Sequence, residues 1–290
     1  MPAAPARPPA PHPRRSRLVP LIAFVSPKGG VGKTTIAANV AALLAARGHE
    51  VLSLDLDPQN ALRVHLGMPV RDEAGFLAEI GSGTAWRAAV RHTPYGVDLL
   101  PHGEVEPRRA LELARLVMDR PEVLAEPVRE MLADPHRLLI VDSPPGPSPA
   151  LSAIMPLIDL SVVVLLPDGG SASLIPQIAD GRFLGRGTLA LRAAERALLV
   201  LNQVDLESPL STAVLDCAQA VMGARLVGVV ARDSGVAEAL ADRRLPVEIP
   251  GSRAAEDLSL LTEGILGRLT LPPAMSAGGH SVLTHWGLRR

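Results

Sequence analysis

A glycine-rich turn set between an apolar run and an alanine-rich helix restricts this chain more than any other feature. Leu18–Ser26 reads as a strand and Thr34–Arg47 as a helix stopped by Gly48. Between them runs Ser26-Pro27-Lys28-Gly29-Gly30-Val31-Gly32-Lys33-Thr34-Thr35. A strand, then a glycine loop, then a helix start is the context of a phosphate-binding loop. Without Cβ atoms at Gly29, Gly30 and Gly32, backbone N–H groups can close on phosphate oxygens. The dipole of the helix that follows favours negative charge there. In this pattern Lys33 reaches the β and γ phosphates of a nucleotide, and the Thr34 hydroxyl ligates Mg²⁺. Pro27 departs from it, standing where the general motif has its first glycine. Of 29 basic side chains only two are lysines, and both, Lys28 and Lys33, lie in this loop. A composition biased toward arginine explains the scarcity of lysine but not its placement. A lysine that arginine cannot replace is a compact point charge in a tight site.

Further candidate strands are Val51–Asp57, Val97–Pro101, Leu138–Ser143, Leu160–Leu166, Ala197–Leu201 and Leu226–Val230. Most are unbroken apolar runs, as strands covered on both faces of a parallel sheet are. Helical patterns over Arg108–Met118, Glu122–Leu132, Ser171–Phe183, Ser211–Met222 and Ala254–Leu269 alternate with them. The alternation predicts an α/β fold of P-loop NTPase type: three layers around a doubly wound, mostly parallel sheet. The ligand then belongs at the carboxyl ends of the strands. Residues 59–96 read as mostly helical with no strand, an insertion or surface lobe. No internal repeat is visible.

Two acidic stretches fall at strand ends. Leu54-Asp55-Leu56-Asp57-Pro58-Gln59 closes the second strand, and alternation places Asp55 and Asp57 on one side, toward the phosphates. Leu138-Leu139-Ile140-Val141-Asp142 has the form of a Walker B strand, whose acid holds Mg²⁺ through water. The motifs themselves thus give Thr34 and Asp142 as metal candidates. Leu201-Asn202-Gln203-Val204-Asp205 resembles the guanine-reading Asn-Lys-x-Asp of GTPases, except that Gln203 occupies the lysine position.

Charge and composition narrow the function. Four of the 29 basic groups lie in residues 1–17, which hold no acid, leaving 25 basic against 30 acidic groups, net −5, in the rest. A basic DNA-coating face is not favoured for that body. Six aromatics make a base-stacking surface for single strands improbable. The single cysteine, Cys217, excludes an internal disulfide framework and a cluster bridging two copies, and points to a reducing cytosol. Residues 1–17 hold six prolines besides the arginines and are expected to be a disordered tail. Arg14-Arg15-Ser16-Arg17 before an apolar run has the look of a twin-arginine export signal. The run is short, contains Pro20 and leads into the glycine loop, so it reads better as a buried first strand. Residues 271–290 are expected to be a flexible tail, with a weak membrane-touching turn at Val282, Leu283 and Trp286 as the other reading. The P-loop domain is then 18–270.

Lys28 through Thr35 resembles the deviant Walker A motif of the MinD/ParA family of dimeric ATPases. The resemblance implies an ATP-sandwiched homodimer in which Lys28, the signature lysine, crosses to the partner's nucleotide while Lys33 serves its own. It also implies that Asp57 in switch I positions the attacking water near Mg²⁺ with support from Asp55, so that Asp57 joins Thr34 and Asp142 in the metal set, and that Ser143-Pro144-Pro145-Gly146-Pro147 is switch II. Asn202 takes the adenine contact; GTP remains the lesser reading. Gly83-Thr84-Ala85-Trp86-Arg87 through Gly103, and Ala231-Arg232-Asp233-Ser234 through Val247, are similar to the cellulose-synthesis group of that family, BcsQ. That implies a cytoplasmic ATPase, peripheral on the inner membrane, acting with cellulose synthase accessory proteins. A ParA-type DNA-partitioning ATPase and a nucleotide-binding scaffold without turnover stand as the alternatives. A protein-tyrosine kinase relative is excluded because Tyr95 is the only tyrosine.

Overall fold

The computed structural model describes residues 20–69, 74–82, 85–184 and 195–269. They form one sheet of β1 (Leu21–Val25), β2 (Glu50–Asp55), β3 (Arg91–His92), β4 (Asp98–Leu100), β5 (Arg137–Asp142), β6 (Leu160–Leu165), β7 (Ala197–Val204) and β8 (Leu226–Ala231). Their order across the sheet is β3-β4-β2-β5-β1-β6-β7-β8. All pairings are parallel except β3 with β4.

β1 lies inside the sheet with all five residues buried. Leu21, Ala23 and Val25 enter one apolar layer, Ile22 and Phe24 the other. The second layer is closed by α1 (Lys33–Ala46), the short α2 (Leu62–His65) and, near the C-terminal end, a helix at Arg253–Leu266. The first is closed by α3 (Pro107–Asp119), α4 (Glu122–Met131), α5 (Pro149–Ile154), then α7 (Ile175–Ala179) and α8 (Pro209–Met222). The remaining helices are α6 (Gly169–Ala172) and α9 (Ser234–Ala241), and Arg253–Leu266 is α10. This is the expected three-layer, doubly wound α/β fold. After β1 the chain builds outward through β2 and returns by β5; it then continues on β1's other flank with β6. The reversal opens a crevice at the carboxyl end of β1.

Most boundaries fall within a few residues of the sequence expectation, with four corrections. Ser171–Phe183 is not one helix but α6, α7 and a 3₁₀ turn at Arg182–Leu184. Pro176 starts α7 and cannot continue a helix from before it, while Gly181 at φ +80° ends it. Region 59–96 is not mostly helical: its described helical pieces are α2 and a 3₁₀ turn at Trp86–Ala89, and it contains β3. Two residues are too few for a strand period to register in sequence. α5 was not expected, although Ser148 accepts a hydrogen bond from the Leu151 amide and Pro149 follows it, an N-cap with proline at the first position. β2 ends at Asp55, so Asp57 lies in the turn beyond it. The two terminal tails, and Gly83 and Thr84, lie outside the described residues.

β8 and α10 approach closely through glycines. A Cβ on Gly228 would meet the Leu261 side chain at 2.7 Å, and one on Gly264 would meet Val227 at 3.0 Å. Gly228→Ala is expected to destabilise the fold by about 1–3 kcal/mol through overpacking. The readout is a lower urea midpoint at unchanged slope; an unshifted midpoint would contradict the close contact.

Candidate nucleotide site

The loop 26–32 turns at the carboxyl end of β1 with Gly30 at φ +73° and Gly32 at φ +85°. Those angles are costly for any residue with a Cβ. Gly32 is required a second time, because a Cβ there would collide with the Asn202 amide. The loop is tied internally by Ser26 Oγ donating to the Lys28 carbonyl (2.8 Å) and to the proline-rich loop after β5 by the Gly146 amide donating to the Ser26 carbonyl (2.8 Å). α1 then opens at Lys33 with no acid in its own first turn, so its positive end stays available to an anion in the cleft.

Lys33 is buried, 6% exposed, and its Nζ lies 2.5 Å from Asp142 Oδ1 and 4.0 Å from Asp57 Oδ2. Thr34 Oγ1 donates to the other Asp142 oxygen at 2.7 Å. Asp142 therefore holds both groups that the motif directs at phosphate and metal. Its carboxyl sits above its ordinary pKa because burial opposes charge, with the Lys33 ammonium pulling the other way. Asp55 pairs in register with Asp142 across β2 and β5 but does not reach the cleft. It is fully buried and accepts from the Asp57 amide (2.9 Å) and the Leu62 amide (3.1 Å). The expected shared orientation of Asp55 and Asp57 is thus corrected: the strand ends between them, and Asp55 shapes the turn that presents Asp57. Burial, then the charge of Asp142, raises Asp55 well above the usual carboxylate range.

Lys28 occupies a different setting. Its side chain is 37% exposed, and Nζ donates to Asp168 Oδ1 at 2.9 Å. Gly170 leaves room for it, since a Cβ there would strike the Lys28 ammonium. Asp168 also caps α6 by accepting from the Ser171 amide (2.6 Å). Slight burial pushes its carboxyl up, but the hydrogen bonds from Lys28 and Ser171 outweigh that and hold it below the ordinary value. Asp168 carried no motif and was missed in the sequence.

Asn202 donates from Nδ2 to the Val31 carbonyl at 2.8 Å, fastening β7 to the phosphate loop. Gln203 beside it is exposed and adopts φ +59°. From the loop a cleft of about 670 Å³ extends past Asn202 to a wall formed by Val230, Arg232, Asp233, Val236 and Pro246. This wall is fixed by Asp233, which accepts from Ser252 Oγ (2.7 Å), and by buried Asn39, whose Oδ1 accepts the Val247 amide (3.1 Å). Sequence reasoning noted 231–247 only as a likeness, not as a cleft wall. His65 also lines the cleft, its pKa pushed down to about 4 by burial and then by the charge of Lys33. The cleft brings together Lys28 through Thr35, Asp57 and Asn202, with Asp142 behind Lys33. Its glycine-lined loop suits a polyphosphate. The hard oxygens of Thr34, Asp57 and Asp142 suit Mg²⁺, which takes few carboxylates and keeps several waters.

The family model described as cellulose biosynthesis protein BcsQ matches residues 19–266. An uncharacterised ATP-binding protein of Methanocaldococcus jannaschii is 29% identical over 249 residues, covering 85% of this chain and 87% of that protein. The chromosome partitioning protein ParA of Caulobacter vibrioides is 28% identical over 223 residues, 76% of this chain and 83% of its own length. Among solved structures, the cell division ATPase MinD of Pyrococcus furiosus superposes with a TM-score of 0.69 at 25% identity, over 86% of this chain and 99% of that one. The chain belongs to the BcsQ family, within the MinD/ParA type of P-loop ATPases.

Proposed function

We propose that this protein binds ATP with Mg²⁺, closes into a homodimer around the nucleotides, and hydrolyses ATP slowly in a dimer-dependent way. The observation that carries this reading is the unlike setting of the two lysines in one loop: Lys33 is buried between two carboxylates, and Lys28 stands half-exposed on the rim. Lys33 exchanges part of its contact with Asp142 for phosphate oxygens, so a negative charge already occupies the place where phosphate will act. Mg²⁺, when bound through Thr34, Asp142 and Asp57, supplies charge neutralisation at the phosphates. Asp57 orients the attacking water. Asn202, held against the phosphate loop, contacts adenine. Lys28 leaves Asp168 and crosses to the nucleotide of the second copy, adding positive charge where the transition state builds negative charge. The Pro-rich switch II loop, hydrogen-bonded to Ser26, registers whether the γ-phosphate is present.

Within that chemistry the favoured cellular role is assistance to bacterial cellulose synthesis, together with accessory proteins of the cellulose synthase complex. The family match over residues 19–266 supports it. The protein then works in the cytoplasm, peripherally at the cytosolic face of the inner membrane. No helix among the described residues is long and apolar enough to cross a membrane. A partitioning ATPase is the second reading, favoured by the likeness to the Caulobacter ParA. The net −5 of the body disfavours DNA as its partner.

Lys33→Ala is expected to weaken ATP binding by at least about tenfold, the worth of a charged hydrogen bond, in a fluorescent-nucleotide titration. Undiminished affinity would contradict its phosphate role. Lys28→Ala is expected to keep nucleotide affinity while losing on the order of 10³-fold in turnover, as for a removed arginine finger. Full turnover in that variant would refute the crossing role. Deleting the gene in its host should reduce cellulose output, restored by the wild-type gene and not by Lys28→Ala. Normal cellulose with disturbed DNA segregation would instead establish the partitioning reading.

A further inference from the structure

Leu206 and Leu210 are 67% and 55% exposed, two large apolar side chains four residues apart at the carboxyl end of β7. Their exposure is not that of a loose loop. The Asp205 amide donates to Ser211 Oγ (3.0 Å), Asp205 Oδ1 accepts the Glu207 amide (3.0 Å), and Ser208 caps α8 through the Ser211 amide. The fold therefore holds both leucines out toward solvent.

Their place in the sheet is informative. β1, β6 and β7 are consecutive neighbours, and their carboxyl ends carry in turn Lys28, its partner Asp168, and Leu206. α6, capped by Asp168, packs on α8, which carries Leu210. β7 runs past the level at which β1 ends, Val25 being in register with Val163 and Val163 with Leu199, so the tie between Lys28 and the two leucines is the packing of α6 on α8. If Lys28 reaches a nucleotide on a second copy, the two carboxyl-end faces must come within the length of a lysine side chain. The surface of α8 beside α6, whose cap Asp168 holds Lys28, then borders the covered face. A switch that dimerises only with nucleotide has mostly polar groups around its phosphates, so apolar area beside them is where association gains free energy.

We propose that Leu206 and Leu210 form an apolar contact of the ATP-bound homodimer, buried against the second copy of this chain when Lys28 crosses the interface. The inference rests on the sandwich-dimer reading above. In a two-fold dimer the contact occurs twice, so its loss is felt twice.

The test compares the full-length wild type with a variant carrying Leu206→Asp and Leu210→Asp, using a nonhydrolysable ATP analogue and sedimentation velocity. Both proteins should bind the analogue equally as monomers. The wild type should dimerise with it, and the variant should dimerise more weakly by at least about tenfold, the range of an interface hot spot. Turnover by the variant should recover at high protein concentration, which a damaged nucleotide site would not allow. Equal dimer affinity in the two proteins overturns the proposal while leaving the sandwich intact. Weakened monomer binding of the analogue also overturns it, by placing the leucines at the nucleotide. A wild type that stays monomeric with the analogue overturns the underlying dimer reading and this inference with it.

Discussion

The buried ion pair between Lys33 and Asp142 joins the phosphate loop to β5, and the rest of the cleft is arranged around it. Two charges withdrawn from water are tolerated only when they are mutually satisfied and further hydrogen-bonded. Here Thr34 completes Asp142, and Asp57 stands at the far side of Lys33. The helix-side end of the loop is thereby held twice, by β5 through Lys33 and by β7 through Asn202 and the Val31 carbonyl, while the Gly146 amide holds its other end at Ser26. For the phosphate of the proposed function the loop has its cation already placed and Gly30 and Gly32 already at positive φ.

Lys28 shares the loop but none of that confinement. Its contact with Asp168 is at the surface, where an ion pair contributes little and is exchanged easily. One short stretch of backbone thus presents a buried lysine inward and a part-exposed lysine outward. The placement of the chain's only lysines follows from this division. On the proposed function both positions call for a compact ammonium, and the other 27 basic side chains are arginines.

Much of this was legible in the sequence because it depends on local pattern. β1, the glycine turn and α1 are contiguous, and buried parallel strands such as β5 and β6 announce themselves as unbroken apolar runs. What sequence could not supply were contacts between distant segments. Asp168 lies 140 residues from Lys28, and the Val31 carbonyl 171 residues from Asn202. Asp55 was misread for a local reason: alternation was extended one turn past the end of β2, where the chain folds back onto that carboxylate. The cleft wall at 230–246 was visible only as a likeness, since its position depends on the capping of α9 by Asp233 and on buried Asn39.

The proposal that Lys28 acts on a neighbour's nucleotide while Asp57 acts on its own concerns two copies of the chain at once. It is tested most directly by mixing two inactive variants, Lys28→Ala and Asp57→Asn, and following phosphate release. In a mixed dimer the Lys28→Ala copy keeps Asp57 beside its own ATP and receives Lys28 from the Asp57→Asn copy. Turnover, absent from either variant alone, should return on mixing. A mixture as inactive as its two components would show that Lys28 serves its own nucleotide and would contradict the account.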